Sequence, residues 1–329
     1  MNEGRLIPSL LLASFVVLLA AVTIGPWPMS LGDAFSALFG GGAANDRVVI
    51  WEIRLPRALA AFLVGAALGI SGAALQGLLR NPLAEPGVLG VSATSSLAAV
   101  CMLYFGIARE FPVLMPLAAI VGAVIATLFI GAVAVGTSST VTLILVGAAL
   151  SSFAGALMSF LMSTAQDLYS LSDMVDWMMG SVSNRSFDDL LLSGPFVAAG
   201  AALLLTQARG LSVLSLGEEA AQGAGLDLKR TRLLVTLGAG LAVGGAVSIA
   251  GIIGFVGIVA PHIVRPWVGH DPARTLIPSA LLAGLMLTVS DILIRVLPTP
   301  VELKLGVVAA IFGAPIFAWI AARRRPSDG

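Results

Sequence analysis

Charged side chains are scarce in this sequence, and so are cysteine and histidine. Only 11% of the 329 residues are charged and 58% are hydrophobic, whereas soluble domains carry about 25% charged residues. The single cysteine, Cys101, excludes an intrachain disulfide and a metal site built from several cysteines. Because the formal net charge is zero, nothing indicates a nucleic-acid partner. So apolar a chain is expected in a membrane.

Lysine is nearly absent, and this limits the chemistry of the chain. The only two lysines, Lys229 and Lys304, do not follow glycine, whereas a Walker A loop requires Gly-Lys followed by Ser or Thr. The polypeptide is therefore not a P-loop ATPase. The two histidines, His262 and His270, are too few for a clustered enzyme site, and we interpret His262, beside Pro261, as structural. We predict no catalytic residues and no metal site.

Long apolar runs make up most of the chain. A helix needs about 20 apolar residues to cross a bilayer, and Pro and Gly mark many of the breaks between runs. We predict an all-α integral membrane fold over residues 1–329, as a single domain. Its ten predicted helices cover residues 6–24, 57–79, 88–105, 111–135, 141–165, 190–207, 231–250, 254–268, 276–296 and 305–322. The first is interpreted as a retained helix, because its apolar stretch exceeds the roughly 7–15 residues of a secretory signal.

The basic residues predict which ends of the helices face the cytoplasm. With the N-terminus inside, eleven fall on the inner side: Arg5, Arg80, Arg209, Lys229, Arg230, Arg232, Arg265, Arg274, Arg323, Arg324 and Arg325. Seven fall on the outer side: Arg47, Arg54, Arg57, Arg109, Arg185, Arg295 and Lys304. We therefore predict that both termini are cytoplasmic.

The spacing of glycines indicates an internal repeat. Predicted helix 2 carries Gly65, Gly69 and Gly72, and predicted helix 7 carries Gly240 and Gly244. The second pattern lies five helices after the first, so helices 2–5 and 7–10 are predicted to be inverted repeats, an arrangement common in transporters.

Three polar stretches interrupt the apolar pattern. Residues 209–232 form a long inner connection, which favours two short helices and a docking role for a partner over a plain loop. Residues 80–87 contain two prolines, which favours a rigid turn, with a gate as the alternative. Asp291 and Arg295 lie one helical turn apart and are interpreted as an ion pair. They are too few for a proton relay, which counts against a secondary transporter or channel working alone.

The joint order of six short segments resembles the permease subunits of type II ABC importers, which carry ferric siderophores, haem and vitamin B12. The resemblance runs from about helix 1 to helix 10. It is carried by residues 54–57, 65–72, 76–90, 216–220, 254–262 and 313–315.

This resemblance implies partners, roles and a location. It implies a homodimer in the lipid of a bacterial inner membrane, with two ATP-binding subunits below and a periplasmic binding protein above; ATP and Mg belong to the ATPase. Residues 209–230 become the cytoplasmic coupling loop, with ATPase contacts at Leu216, Gly217, Glu218, Glu219 and Ala220. Binding-protein docking is implied for Arg54, Arg57 and Arg295. A cytoplasmic gate is implied for Asn81, Leu83, Ser139 and Thr140. The expected cargo is a ferric siderophore or haem, with vitamin B12 as the alternative.

Overall fold

The regular structure of the chain is helical. A computed structural model describes residues 3–136, 140–299 and 301–323, and within these ranges no strand occurs. The α-helices in chain order are α1 (Glu3–Thr23), α2 (Leu31–Leu38), α3 (Ala44–Val48), α4 (Leu55–Leu78), α5 (Val91–Tyr104), α6 (Ile107–Glu110), α7 (Leu114–Gly136), α8 (Thr140–Ser163), α9 (Leu168–Met179), α10 (Phe187–Thr206), α11 (Ala208–Leu214), α12 (Glu218–Gly223), α13 (Leu228–Ala250), α14 (Val256–Val264), α15 (Pro272–Val296) and α16 (Leu305–Arg323).

Ten of these helices correspond to the predicted spans: α1, α4, α5, α7, α8, α10, α13, α14, α15 and α16. Seven helices within the described residues are long and apolar enough to cross a bilayer, and α5 and α16 contain shorter apolar stretches. Helix α14 has only nine residues, fewer than the roughly 20 that a full span needs. The predicted all-α membrane fold is confirmed.

Several predicted helix starts are wrong by three or four residues, because the first turn of each helix is polar. Helix α13 begins at Leu228, where the side chain of Asp227 accepts a hydrogen bond from Arg230 N. Helix α15 likewise begins after Asp271, and α10 after the capping box of Ser186. Such caps satisfy the free N–H groups of the first turn. The helix that corresponds to predicted helix 8 ends earlier than predicted, because α14 stops at Val264 and Arg265–Val268 is a 3-10 turn.

The glycines of α4 form its closest packing seam. A Cβ atom on Gly65 or Gly69 would overlap the backbone of α15, and one on Gly72 would overlap the carbonyl oxygen of Gly257 in α14. Small residues allow membrane helices to approach this closely. Helix α13 packs against α7 in a similar way, because a Cβ on Gly240 would overlap Thr127. Both glycine patterns thus mark close helix contacts, and the inverted repeat itself stays a prediction.

Candidate functional sites

The long predicted inner connection folds as two short helices, α11 and α12. Leu211, Leu214 and Ala221 are buried and hold this segment against the bundle. Ala220 and Ala224 in the same segment are exposed. With only six residues, α12 turns a narrow face toward the bundle and leaves the rest open.

The five predicted coupling residues divide into one anchor and a free surface. Glu218 accepts a hydrogen bond from Arg232 Nη2 at 2.7 Å, and the Arg232 side chain is only 5% exposed. Gly217, with φ of +109°, permits the turn that begins α12. Leu216 is 74% exposed, and Glu219 and Ala220 are exposed as well. The ion pair between half-buried Glu218 and buried Arg232 therefore fixes α12, while Leu216, Glu219 and Ala220 form an open ridge.

The three predicted docking arginines lie at one end of the bundle, which we call the arginine end. Arg54 is 3% exposed and donates hydrogen bonds to the carbonyls of Thr23 and Trp27, both at 2.7 Å. Arg295 donates to Ala21 O at 2.8 Å. Both guanidinium groups therefore satisfy carbonyls at the C-terminus of α1 that have no partner within the helix.

Two carboxylates complete the arginine end. Asp291 is fully buried and lies 2.7 Å from Arg57 Nη2 and 3.1 Å from Arg295 Nε. Glu302 accepts hydrogen bonds from Arg57 Nη2 and from Ser183 Oγ. Burial alone would raise the pKa of Glu302, but its bonds to Arg57 outweigh that effect and the pKa is lowered. The sequence interpretation of Asp291 and Arg295 found one pair, whereas the structure shows a four-residue network.

This network adjoins an open cavity of about 390 Å³ that Arg54, Arg57, Arg295 and Glu302 help to line. Of the ion-pairing residues here, Glu302 is the most accessible, with its side chain 44% exposed. The three arginines lie together at this end, and each already has partners in its own chain; their docking role stays a prediction. Any docking role operates on charges that also stabilise the fold.

Replacing Arg54 by alanine is expected to destabilise the protein, because the partly buried carbonyls of Thr23 and Trp27 lose a charged donor. The expected loss is roughly 3 kcal/mol of unfolding free energy, measured by denaturant titration of the purified chain. The matched control is Arg47→Ala, since the exposed Arg47 side chain donates a hydrogen bond to Gly40 O at 3.2 Å. Equal losses for the two variants would contradict the capping role of Arg54.

The predicted gate residues fall in two places. Asn81 Oδ1 accepts a hydrogen bond from Leu83 N at 3.0 Å, which closes a tight turn after α4. Thr140 is the first residue of α8, and Ser139 lies outside the described residues. The turn agrees with the rigid alternative considered for residues 80–87, and the gate stays a prediction.

A buried polar network next to this turn was missed by the sequence reasoning. Gln76 Nε2 donates to the carbonyls of Ala84 and Gly257, at 3.2 and 3.3 Å. Glu85 Oε1 accepts a hydrogen bond from Phe255 N at 2.6 Å. These bonds join the turn after α4 to the start of α14. The sequence signal for this network was the presence of two polar residues, Gln76 in apolar α4 and Glu85 in the turn after it.

Comparison with known proteins relates this architecture to a transport family. The FecCD transport family model matches residues 11–323. A vitamin B12 import system permease of Vibrio cholerae is 39% identical over 299 residues, covering 90% of this chain and 89% of that protein. A hemin transport system permease of Yersinia pestis is 34% identical over 331 residues, covering 98% of each chain.

A solved structure has the same fold. It is described as a metal-chelate type ABC transporter in an inward-facing conformation, with a TM-score of 0.85 and 28% sequence identity, and the match covers 98% of this chain and 100% of that one. An ABC transporter permease of Bacillus subtilis is also 39% identical over 297 residues, covering 87% of this chain and 83% of that protein. The chain therefore belongs to the FecCD transport family and is a membrane-embedded ABC transporter permease.

Proposed function

We propose that this permease works as a homodimer that imports a metal–organic chelate from the periplasm to the cytoplasm of a bacterium. Two ATP-binding subunits supply the energy, and a periplasmic binding protein delivers the cargo. The observation that carries this proposal is the exposed ridge formed by Leu216, just before α12, and by Glu219 and Ala220 within it. The ion pair between Glu218 and buried Arg232 holds α12 in place. Such a surface transmits force from a partner into the bundle, because α12 is fixed to the bundle and cannot slide along it.

The coupling ridge links directly to a long helix. Arg232 belongs to α13, and its pairing with Glu218 ties α12 to that helix. Helix α13 in turn packs against α4, α7 and α10. Movement of a docked ATPase is therefore passed to helices in the middle of the bundle. This connection supports alternating access driven by ATP, with ATP and Mg bound on the partner and not on this chain.

The arginine end is proposed to face the periplasm. Arg57 is held between buried Asp291 and accessible Glu302, and a cavity opens beside it. An acidic side chain of a binding protein would compete with Glu302 for Arg57, since both would present a carboxylate to the same guanidinium. This arrangement supports docking at this end, with both termini and the 209–232 segment on the cytoplasmic side of the inner membrane.

The cargo proposed first is an iron complex, either a ferric siderophore or haem, and the hemin permease of Yersinia pestis supports this class. Vitamin B12 is the second candidate, supported by the relative from Vibrio cholerae. Uptake in vesicles that contain the permease, its ATPase and its binding protein distinguishes them, with labelled haem, a ferric siderophore and cobalamin offered separately. Uptake that requires neither ATP nor partners would contradict the importer.

Replacing Glu219 by arginine is expected to lower ATP-driven uptake at least about tenfold, because a reversed charge at a docked surface opposes binding of the partner. The protein should still fold, since Glu219 is exposed and the Glu218–Arg232 pair is untouched. Glu110→Arg, an exposed acid at the far end of the bundle, is the control. The same uptake in both variants would remove the coupling role of the ridge.

A further inference from the structure

A second cavity at the arginine end belongs to none of the sites above. Its volume is about 240 Å³, and its polar lining includes Trp177, Arg185, Asp173, Asp176 and Lys304. Trp177 lies in the last turn of α9, and Arg185 lies in the connection to α10. Lys304 precedes α16. Three separate segments thus converge on one small space.

The cavity is lined by residues whose buried donors make no hydrogen bond. Trp177 is only 6% exposed, and among the described residues neither Trp177 Nε1 nor the buried Arg185 Nε has a hydrogen-bond partner. The two side chains are neighbours, since Arg185 Cζ lies 5.8 Å from the centre of the Trp177 ring. A buried donor without a partner costs about 1–3 kcal/mol, so two in one cavity are a feature that requires explanation.

The lining of the cavity carries two acids, Asp173 and Asp176, and two bases, Arg185 and Lys304. Lys304 Nζ is already paired with Asp176 at 2.9 Å, and Asp173 is exposed to water at the rim. Burial lowers the pKa of the Arg185 guanidinium, and Asp189 only partly offsets this. The Asp189 carboxylate is itself engaged, because it accepts hydrogen bonds from Ser186 N and Ser186 Oγ. Of the two donors without partners in this cavity, Arg185 Nε belongs to a cation, and an anionic acceptor therefore suits it.

We propose that this cavity binds a carboxylate group of the transported solute, with Arg185 and Trp177 Nε1 as the donors. A guanidinium and an indole N–H match the two oxygens of a carboxylate, and charge-assisted bonds are the stronger kind. The apolar wall formed by Leu103 and Met115 accommodates the carbon chain that bears the group. This inference rests on the proposed function for the source of the carboxylate, and it favours an acidic chelate over a cargo that carries only amides.

The site is tested on the full-length chain in lipid nanodiscs, without ATPase or binding protein. The five tryptophans are replaced by 5-fluorotryptophan, and Trp177→Phe identifies the Trp177 signal in the fluorine NMR spectrum. Sodium propionate, propionamide and inorganic phosphate are then titrated separately. We expect propionate to shift the Trp177 signal saturably and to bind roughly 10- to 100-fold more tightly than propionamide.

Arg185→Gln is expected to abolish the propionate response, and Arg185→Lys to keep part of it. Arg109→Gln, which removes an exposed arginine paired with Asp167, is the matched control and should leave the response unchanged. If Arg185→Gln does not fold, the contrast between propionate and propionamide in the unsubstituted chain still decides the proposal.

Three results would overturn the carboxylate site: no saturable shift, equal binding of propionamide, or tighter binding of phosphate than of propionate. None of them bears on import itself, because the titration needs no ATP and no partner. Conversely, a normal propionate response with no ATP-driven uptake in vesicles would reject the proposed function and leave the site standing. In the complete transporter, Arg185→Gln is expected to raise the KM for a carboxylate-bearing cargo and to spare amide cargo.

Discussion

Replacing Gly72 by alanine is expected to prevent the bundle from closing. The added Cβ would overlap the carbonyl oxygen of Gly257, and Pro86 is already packed against Gly257 from another side. The obstacle on α14 is backbone and its neighbour is the rigid ring of Pro86, so no flexible side chain can move aside. We expect a loss of at least about 3 kcal/mol in unfolding free energy, observed as little folded protein after extraction.

Gly155→Ala in α8 is the matched control, since a Cβ at Gly155 would meet nothing within 4 Å. Both substitutions replace glycine by alanine inside a long helix, so they share the same change in helix propensity. Only the substitution at Gly72 adds a steric conflict. If the two variants melted at the same temperature, the steric role of the close contact between α4 and α14 would be contradicted.

Asp291→Asn is expected to cost about 3–5 kcal/mol, because it leaves buried Arg57 and Arg295 without their shared carboxylate. Asp291 is fully buried, and the Arg295 side chain is only 4% exposed. An amide of the same shape keeps the packing and removes the charge. Denaturant titration of the purified protein measures the loss, and uptake should fall with the amount of folded permease.

The comparison variant is Asp167→Asn, which breaks the exposed ion pair with Arg109. Exposed pairs contribute only about 0–1 kcal/mol, so this variant should unfold close to the unsubstituted protein. A small effect at Asp291, similar to that at Asp167, would show that Arg57 and Arg295 do not depend on the buried carboxylate.

The fold was largely predictable because its main determinants are local. Apolar runs of about 20 residues indicate spans directly, and the glycines at Gly65, Gly69 and Gly72 indicate a close helix contact. The two short helices of the 209–232 segment also followed from its glycines and polar residues. Each of these signals lies within one stretch of chain, so no knowledge of distant contacts was needed.

The parts that sequence reasoning missed depend on residues far apart in the chain. Arg54 binds carbonyls of Thr23 and Trp27, and a backbone acceptor leaves no mark in the sequence. Helices α2 and α3 were also missed, since the predicted break after α1 was taken as connecting chain. The cavity beside Trp177 and Arg185 requires α9, α10 and α16 to be placed together, which only the structure provides.

The short helix α14 has a consequence for how the protein enters its membrane. Nine residues rise about 14 Å, roughly half of the hydrocarbon thickness, and the non-helical segment 251–255 precedes it. Backbone groups exposed to lipid are costly, and here Glu85 satisfies Phe255 N. Helix α14 is therefore a poor substrate for insertion by itself. We expect the translocon to release it only together with α15, as a hairpin, after α4 and the Glu85 turn are already in the bilayer.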